Sequence, residues 1–259
     1  MARDPGREAI PVAQRLRIQH AKRGRLRFTS HRDFQRAFER ALRRAEIPMA
    51  YSAGFSPHPK ISYANAAATG VASEAEYVEI GVTAHCDPAR VADALNEALP
   101  PGFDVLAVVE ARTSDFVARL EASHWQIELP GVASEVANSA VSSFLACDEV
   151  QVERLMKSGL RVFDARADVL KMQVLESPQT LQNNDEPEIE QNCAILQVVV
   201  RHGTPAVRPD DVLAALKKVA GLDLVNPARI TRIAQGPLCE DGWSVADPLD
   251  ADRQATVNA

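Results

Sequence analysis

Four arginines recur at helical spacing in one stretch of this chain. If residues 31–45 form a helix, Arg32, Arg36, Arg40 and Arg43 share its outer side, with Arg44 at the margin. Guanidinium groups spaced along one face can meet successive phosphates, and binding through them would weaken steeply with salt. The same stripe also suits an acidic protein partner or plain solvation, because charge patterning does not name its partner. Behind the helix, residues 47–60 form a loop stiffened by Pro48, Pro57 and Pro59, with Gly54 free to take a turn at positive φ. That loop carries Tyr51, Phe55, His58 and Lys60. Tyr51 or Phe55 would stack on a base and Lys60 would meet a phosphate. The competing reading makes both aromatics plugs of the core beneath the loop.

A second chemistry is proton transfer. Histidine as a residue type titrates near neutral pH, so His31 and His58, if positioned together, would support RNA transesterification, while Asp33 and Asp164 are candidates for the catalytic Asp that an RNA-modifying synthase requires. Nothing in the spacing brings the two imidazoles together. Other catalytic signatures are missing from the sequence: no Gly-rich phosphate loop, no HExxH pair and no GxSxG elbow. Cys86, Cys147, Cys193 and Cys239 lie far apart, with no CxxC pair for zinc and no close triplet for an iron–sulfur cluster. The expectation is no metal and no cofactor.

The elements that would position these residues follow from apolar spacing. Ser30 is placed to cap the basic helix, with Asp33 three residues on. Phe34, Ala37, Phe38, Ala41, Leu42 and Ala45 make its core-facing stripe. Around it, alternation predicts strands at 15–20, 25–29, 61–64, 77–82 and 103–109, and Pro88 opens a helix through 99. Farther on, strands are expected at 125–129, 150–155, 161–163, 169–175, 194–201 and 229–233, with helices at 134–146 and 210–219. The polar, mostly acidic run 182–191 reads as a solvated hairpin connection.

Helices alternating with strand pairs give an α+β class, with two ferredoxin-like βαββαβ units in tandem. The expected divisions are an N-terminal tail at 1–14, a first unit at 15–112 and a linker at 113–122. A second unit at 123–237 and an acidic C-terminal tail at 238–259 complete the chain. With 259 residues, 46% of them hydrophobic and 25% charged, the chain can bury a core, so collagen, rod and wholesale disorder are excluded. No stretch approaches membrane-spanning length, and the first residues lack the apolar core of a signal peptide. The expectation is a cytoplasmic protein with no membrane partner.

Net charge is −6, which taken alone argues against a nucleic-acid partner. Its distribution reverses that argument. Residues 15–60 hold twelve Lys or Arg against Asp33, Glu39 and Glu46, a local balance of +9 set against −15 elsewhere.

Phe28, Thr29, Ser30, His31, Asp33, Arg36, Glu39, Arg40, Ala41, Leu42, Arg43 and Arg44 form one long motif. It continues through Ile47, Pro48, Tyr51, Ser52, Gly54, Phe55, Pro57, His58, Pro59, Lys60 and Ser62, then Gly70, Ser73, Glu76 and Tyr77. Together these resemble the signature of the radical-SAM-associated family of unknown function, found alone or fused behind a cobalamin-binding radical SAM domain. Lys157, Gly159, Asp164 and Arg166 resemble its second signature, and Arg208 to Leu213 the opening of its last helix. The resemblance covers roughly residues 15–236. Arg32 departs from the pattern, standing where an apolar residue is expected after the histidine.

The resemblance implies a radical SAM enzyme as partner and supplies no activity. Combined with the basic face, it points to a noncatalytic accessory that binds RNA or a ribonucleoprotein substrate through the helix and loop. Two alternatives stand beside that reading. One is a protein-docking module that binds no RNA. The other is an RNA enzyme resembling CRISPR-transcript endoribonucleases or pseudouridine synthases, which is fold-level analogy.

Overall fold

A computed structural model describes residues 10–156, 159–175 and 193–255. The acidic run 182–191 and Lys157 lie outside the described residues. In chain order the first elements are β1 (Gln14–Lys22), α1 (His31–Arg44), β2 (Ile61–Ala64), β3 (Ala72–Val82), α2 (Pro88–Ala98) and β4 (Val105–Glu110). Then come β5 (Ala122–Pro130), α3 (Ser134–Leu145), β6 (Gln151–Met156), β7 (Gly159–Asp164) and β8 (Val169–Leu175). The series ends with β9 (Cys193–Arg201), α4 (Pro209–Ala220), β10 (Arg229–Gly236) and α5 (Asp250–Gln254). The chain divides into two units, one running to Val117 and taking in residues from Pro248 onward, the other Ala118–Asp247.

In the first unit β4, β1, β3 and β2 lie side by side in that order, every neighbouring pair antiparallel. That order, with α1 and α2 as the two crossovers, is the ferredoxin-like βαββαβ arrangement. Leu16 and Ile18 of β1 and Val78, Ile80 and Val82 of β3 face Phe34, Phe38 and Leu42 of α1 and Val91 and Leu95 of α2. Burying that apolar stripe, more than helix propensity, holds α1 in place. The second unit repeats the plan, with β10, β5, β9 and β8 in order. Its antiparallel pairs put Trp125, Ile127 and Leu129 among its buried residues with Leu196, Val198, Phe144 and Leu216. The two strands beyond the minimal pattern, β6 and β7, pair with each other as a separate hairpin. The fold is α+β, with two ferredoxin-like units in tandem.

Asp211 holds that hairpin. Its carboxylate accepts from the Arg208 backbone N–H at 2.7 Å, fixing the start of α4, and also takes the Arg154 guanidinium of β6. Asp164 closes a turn after β7, accepting from the backbone N–H of Val150 and Arg166, both at 2.8 Å. The Arg208–Leu213 motif and the Asp164–Arg166 pair are therefore accounted for as architecture.

Three expectations differ. Residues 25–29 are not a strand: Gly24, at φ +51°, turns the chain out of β1 and a 3-10 helix spans Gly24–Phe28. The alternation of Leu26 and Phe28 misled because only Leu26 packs on the core, while Phe28 is exposed. β3 begins at Ala72 rather than 77, its first residues being small or polar because they pair with the end of β1 and with Arg23. The stretch expected as a flexible C-terminal tail carries regular elements among its described residues, 238–255. Leu238 pairs with Val245, and α5 buries Asp252 and the preceding Leu249. The polar composition there reflects a carboxylate buried against a guanidinium, which apolar periodicity cannot register.

Candidate nucleic-acid interface

The basic helix is anchored at its first turn. The Ser30 hydroxyl oxygen accepts from the Asp33 backbone N–H at 3.2 Å and donates to the Asp33 carboxylate at 2.7 Å. Asp33 is thus engaged in the cap, and its carboxylate also neighbours Arg36 at 3.9 Å. From that start, Phe34, Phe38, Ala41 and Leu42 are buried, which turns Arg32, Arg36, Arg40 and Arg43 outward, all exposed. Arg44 is exposed as well, but it donates to the Ala98 carbonyl at the end of α2 at 3.2 Å.

How these charges are compensated separates them. Arg15 pairs with Glu79 at 3.1 Å, Arg17 with Glu79 and Asp252, and Arg23 with Glu74 and Asp104. Among the described residues, Arg32, Arg40 and Arg43 have no carboxylate within ion-pair distance. Arg15, Arg17 and Arg23 are therefore compensated by acids outside the segment, whereas Arg32, Arg40 and Arg43 on the outer face of α1 are not.

Past α1, residues 49–60 form a narrow excursion at the end of β3. Ala50 donates its N–H to the Gly81 carbonyl at 2.8 Å, and Lys60 donates to Ala50 at 2.8 Å. Above that base, Tyr51 bridges Pro59, Ser52 N–H donates to the His58 carbonyl, and His58 N–H donates to the Ser52 hydroxyl. Gly54, at φ +116°, turns the tip, a conformation that favours glycine. The aromatics are not core plugs. Phe55 is fully exposed (104%), Tyr51 is 41% exposed, His58 is exposed and Lys60 half-buried.

His31 goes elsewhere. Its ring meets Tyr63 edge-on at 5.0 Å between centroids, and its Nε2 lies 3.0 Å from the Gln35 amide nitrogen. Among the described residues no hydrogen bond or ring contact joins His31 to His58. Sequence reasoning missed Tyr63, whose phenol oxygen is buried with no hydrogen-bond partner among the described residues. Burial, then the Glu39 carboxylate, pushes that phenol well above its ordinary range. A lone aromatic in a four-residue strand gave no signal that it would sit beside the first turn of α1. Among the described residues no three His, Cys, Asp or Glu side chains converge as a metal site, and no helix is long and apolar enough to cross a membrane.

Fold and surface together define a tandem ferredoxin-like protein that presents exposed arginines on α1 and a cross-bonded loop with an exposed aromatic tip. The model of the family described as uncharacterized proteins conserved in bacteria (DUF2344) matches residues 15–209, and the chain belongs to that family. No curated protein matches it. Among solved structures, the chain is similar to the first two RRM domains of yeast poly(U)-binding protein (Pub1), at 12% identity and TM-score 0.19. That alignment covers 85% of this chain and 98% of the other. The fold assignment rests on strand order, not on that superposition.

Proposed function

We propose that this protein binds RNA through the outer face of α1 and the 49–60 excursion, without catalysing a reaction on it. The observation that carries this reading is that, among the described residues, Arg32, Arg40 and Arg43 have no acidic partner, next in sequence to a loop that holds Phe55 wholly in solvent. Exposed guanidinium groups on a helix give phosphate affinity, and a rigid exposed aromatic gives a stacking platform at little ordering cost. The resemblance to radical-SAM-associated proteins adds the partner: an enzyme of that class, to which this chain would present the RNA or ribonucleoprotein.

Binding of single-stranded and structured RNA, measured against salt concentration, tests the reading. Affinity should fall steeply with salt, and Arg36→Glu or Arg40→Glu should weaken it while leaving the fold intact. An absence of binding at low salt would overturn it. Co-purification with a radical SAM enzyme that survives nuclease and is lost on Arg40→Glu would instead assign the same face to a protein.

A further inference from the structure

The second unit carries a cleft that the RNA-binding reading does not use. A tight hairpin closes after β10: Ala246 N–H donates to the Pro237 carbonyl and Cys239 N–H to the Ser244 carbonyl, both at 2.9 Å. Its tip folds over the open face of the sheet formed by β5, β9 and β8. Between hairpin and sheet lies a cleft of about 250 Å³, lined by His124, Lys171, Gln173, Gln197 and Val199 below and by Trp243 and Ser244 above.

Lys171 is the charged residue in the lining of this cleft. Lys171 Nζ lies 3.3 Å from the centroid of the Trp243 ring, so the indole face partly replaces its hydration. Among the described residues it has no carboxylate within ion-pair distance. The nearby acid, Asp241, is engaged in the turn, accepting from the backbone N–H of Trp243 and Ser244 and from the Ser244 hydroxyl. Gln173 donates to the Gln197 carbonyl oxygen at 2.9 Å, and both side chains line the cleft. His124 lines the same floor, and burial, then the Lys171 charge, lowers its imidazole pKa.

We propose that this cleft binds a small organic oxyanion, its charged end on Lys171, Gln197 and His124 and its body against Trp243. The Lys171 ammonium and the His124 imidazole line the same cleft, so an oxyanion there would take a charge-assisted hydrogen bond from the ammonium and an ordinary one from the imidazole N–H. The cleft's size suits a ligand no larger than a mononucleotide. Phosphate esters and carboxylates share the required chemistry. The site lies in a different unit from α1, so its failure and that of the RNA-binding reading are separately visible.

The test is NMR titration of the full chain with inorganic phosphate, acetate and a nucleoside monophosphate. It follows the Trp243 indole N–H, assigned with Trp243→Phe, and the His124 ring, assigned with His124→Gln. Saturable shifts of both signals are expected, with about tenfold or greater weakening in Lys171→Met and a smaller loss in Gln197→Leu. Tighter binding of the mononucleotide than of phosphate assigns the body contact to a base, and equal binding assigns the site to the phosphoryl group alone. Preference for acetate assigns a carboxylate. The proposal is overturned if none of the three anions gives a saturable shift. It is equally overturned if the shifts persist unchanged in both folded variants.

Discussion

Arg17 and Asp252 stand 235 positions apart and meet through an Nη1–Oδ2 hydrogen bond of 2.5 Å, with both side chains almost wholly out of solvent. The other Asp252 oxygen accepts from the backbone N–H of Arg112 and Thr113, each at 3.0 Å, and from the Thr113 hydroxyl at 2.6 Å. Arg17 completes its own set with Glu79 and the Thr113 carbonyl. The last described helix is thereby stitched into the first ferredoxin-like unit.

Removing that carboxylate leaves the buried Arg17 guanidinium with Glu79 as its remaining acid partner. Asp252→Ala should cost the first unit at least about 1.5–3 kcal/mol, the range for a lost hydrogen bond to a charged group. Burial alone would raise the Asp252 pKa, but the Thr113 hydroxyl and Arg17 outweigh it and hold the carboxyl below its ordinary value. The stabilisation is therefore complete above the free-aspartate value of about 3.9 and is lost as pH falls through the depressed one. Denaturant unfolding followed by circular dichroism should show both the neutral-pH loss and a flatter acid limb in Asp252→Asn. A variant as stable as the parent at neutral pH would show that the bond adds nothing.

Paired and unpaired arginines should behave differently toward RNA. Arg40→Ala and Arg43→Ala each remove an uncompensated charge from α1, and each should lower the slope of log affinity against log salt by about 1. Arg15→Ala removes a charge already held by Glu79, and its slope should match the parent's. Equal losses from Arg15→Ala and Arg40→Ala would mean that affinity follows total charge and not this face.

Two phenylalanines in the same unit offer a contrast between binding and folding. Phe38 is fully buried among Phe34, Tyr63 and the sheet, so Phe38→Ala should cost about 3–5 kcal/mol of stability. Phe55 has no burial to lose, and Phe55→Ala should leave the melting temperature unchanged. RNA affinity should nonetheless drop by about 1–3 kcal/mol if a base stacks there. Unchanged affinity for every RNA that binds α1 would remove Phe55 from the interface.

What the sequence showed depended on which interactions leave a periodic trace. The α1 stripe, the Ser30 cap and the four outward arginines were legible because helix period and capping are local. The doubled strand–helix pattern was legible for the same reason. Compensation was not: Arg15, Arg17 and Arg23 looked as available as Arg40, because their acids Glu79, Glu74, Asp104 and Asp252 come from β3, the loop before β4, and α5. Exposure of Phe55 was equally hidden. A loop aromatic is usually buried, and only the cross-loop bonds between Ser52 and His58 show that this tip stands clear. The cleft under Trp243 assembles residues from β5, β8, β9 and the hairpin after β10, a grouping with no signature along the chain.

A last prediction concerns the second unit alone. His202 Nδ1 lies 2.6 Å from the Leu120 carbonyl, which can only accept, so the ring proton sits on Nδ1 and Nε2 accepts from the Ser123 hydroxyl at 2.7 Å. Burial pushes the imidazole's pKa down and Arg232 adds to that, outweighing the Leu120 carbonyl and Asp168, which favour the charged ring. Folding therefore prefers the neutral ring. Its contribution is complete above the unfolded value of about 6.5 and is lost as pH falls from there toward the depressed one. His124, held down by burial and Lys171, adds to the same limb. Both tryptophans, Trp125 and Trp243, belong to this unit, so fluorescence-detected denaturation reads it selectively. Stability should decline on acidification below neutrality, and His202→Gln should flatten part of that decline while keeping a donor for Leu120. A decline of equal depth in His202→Gln would assign the acid sensitivity to other groups.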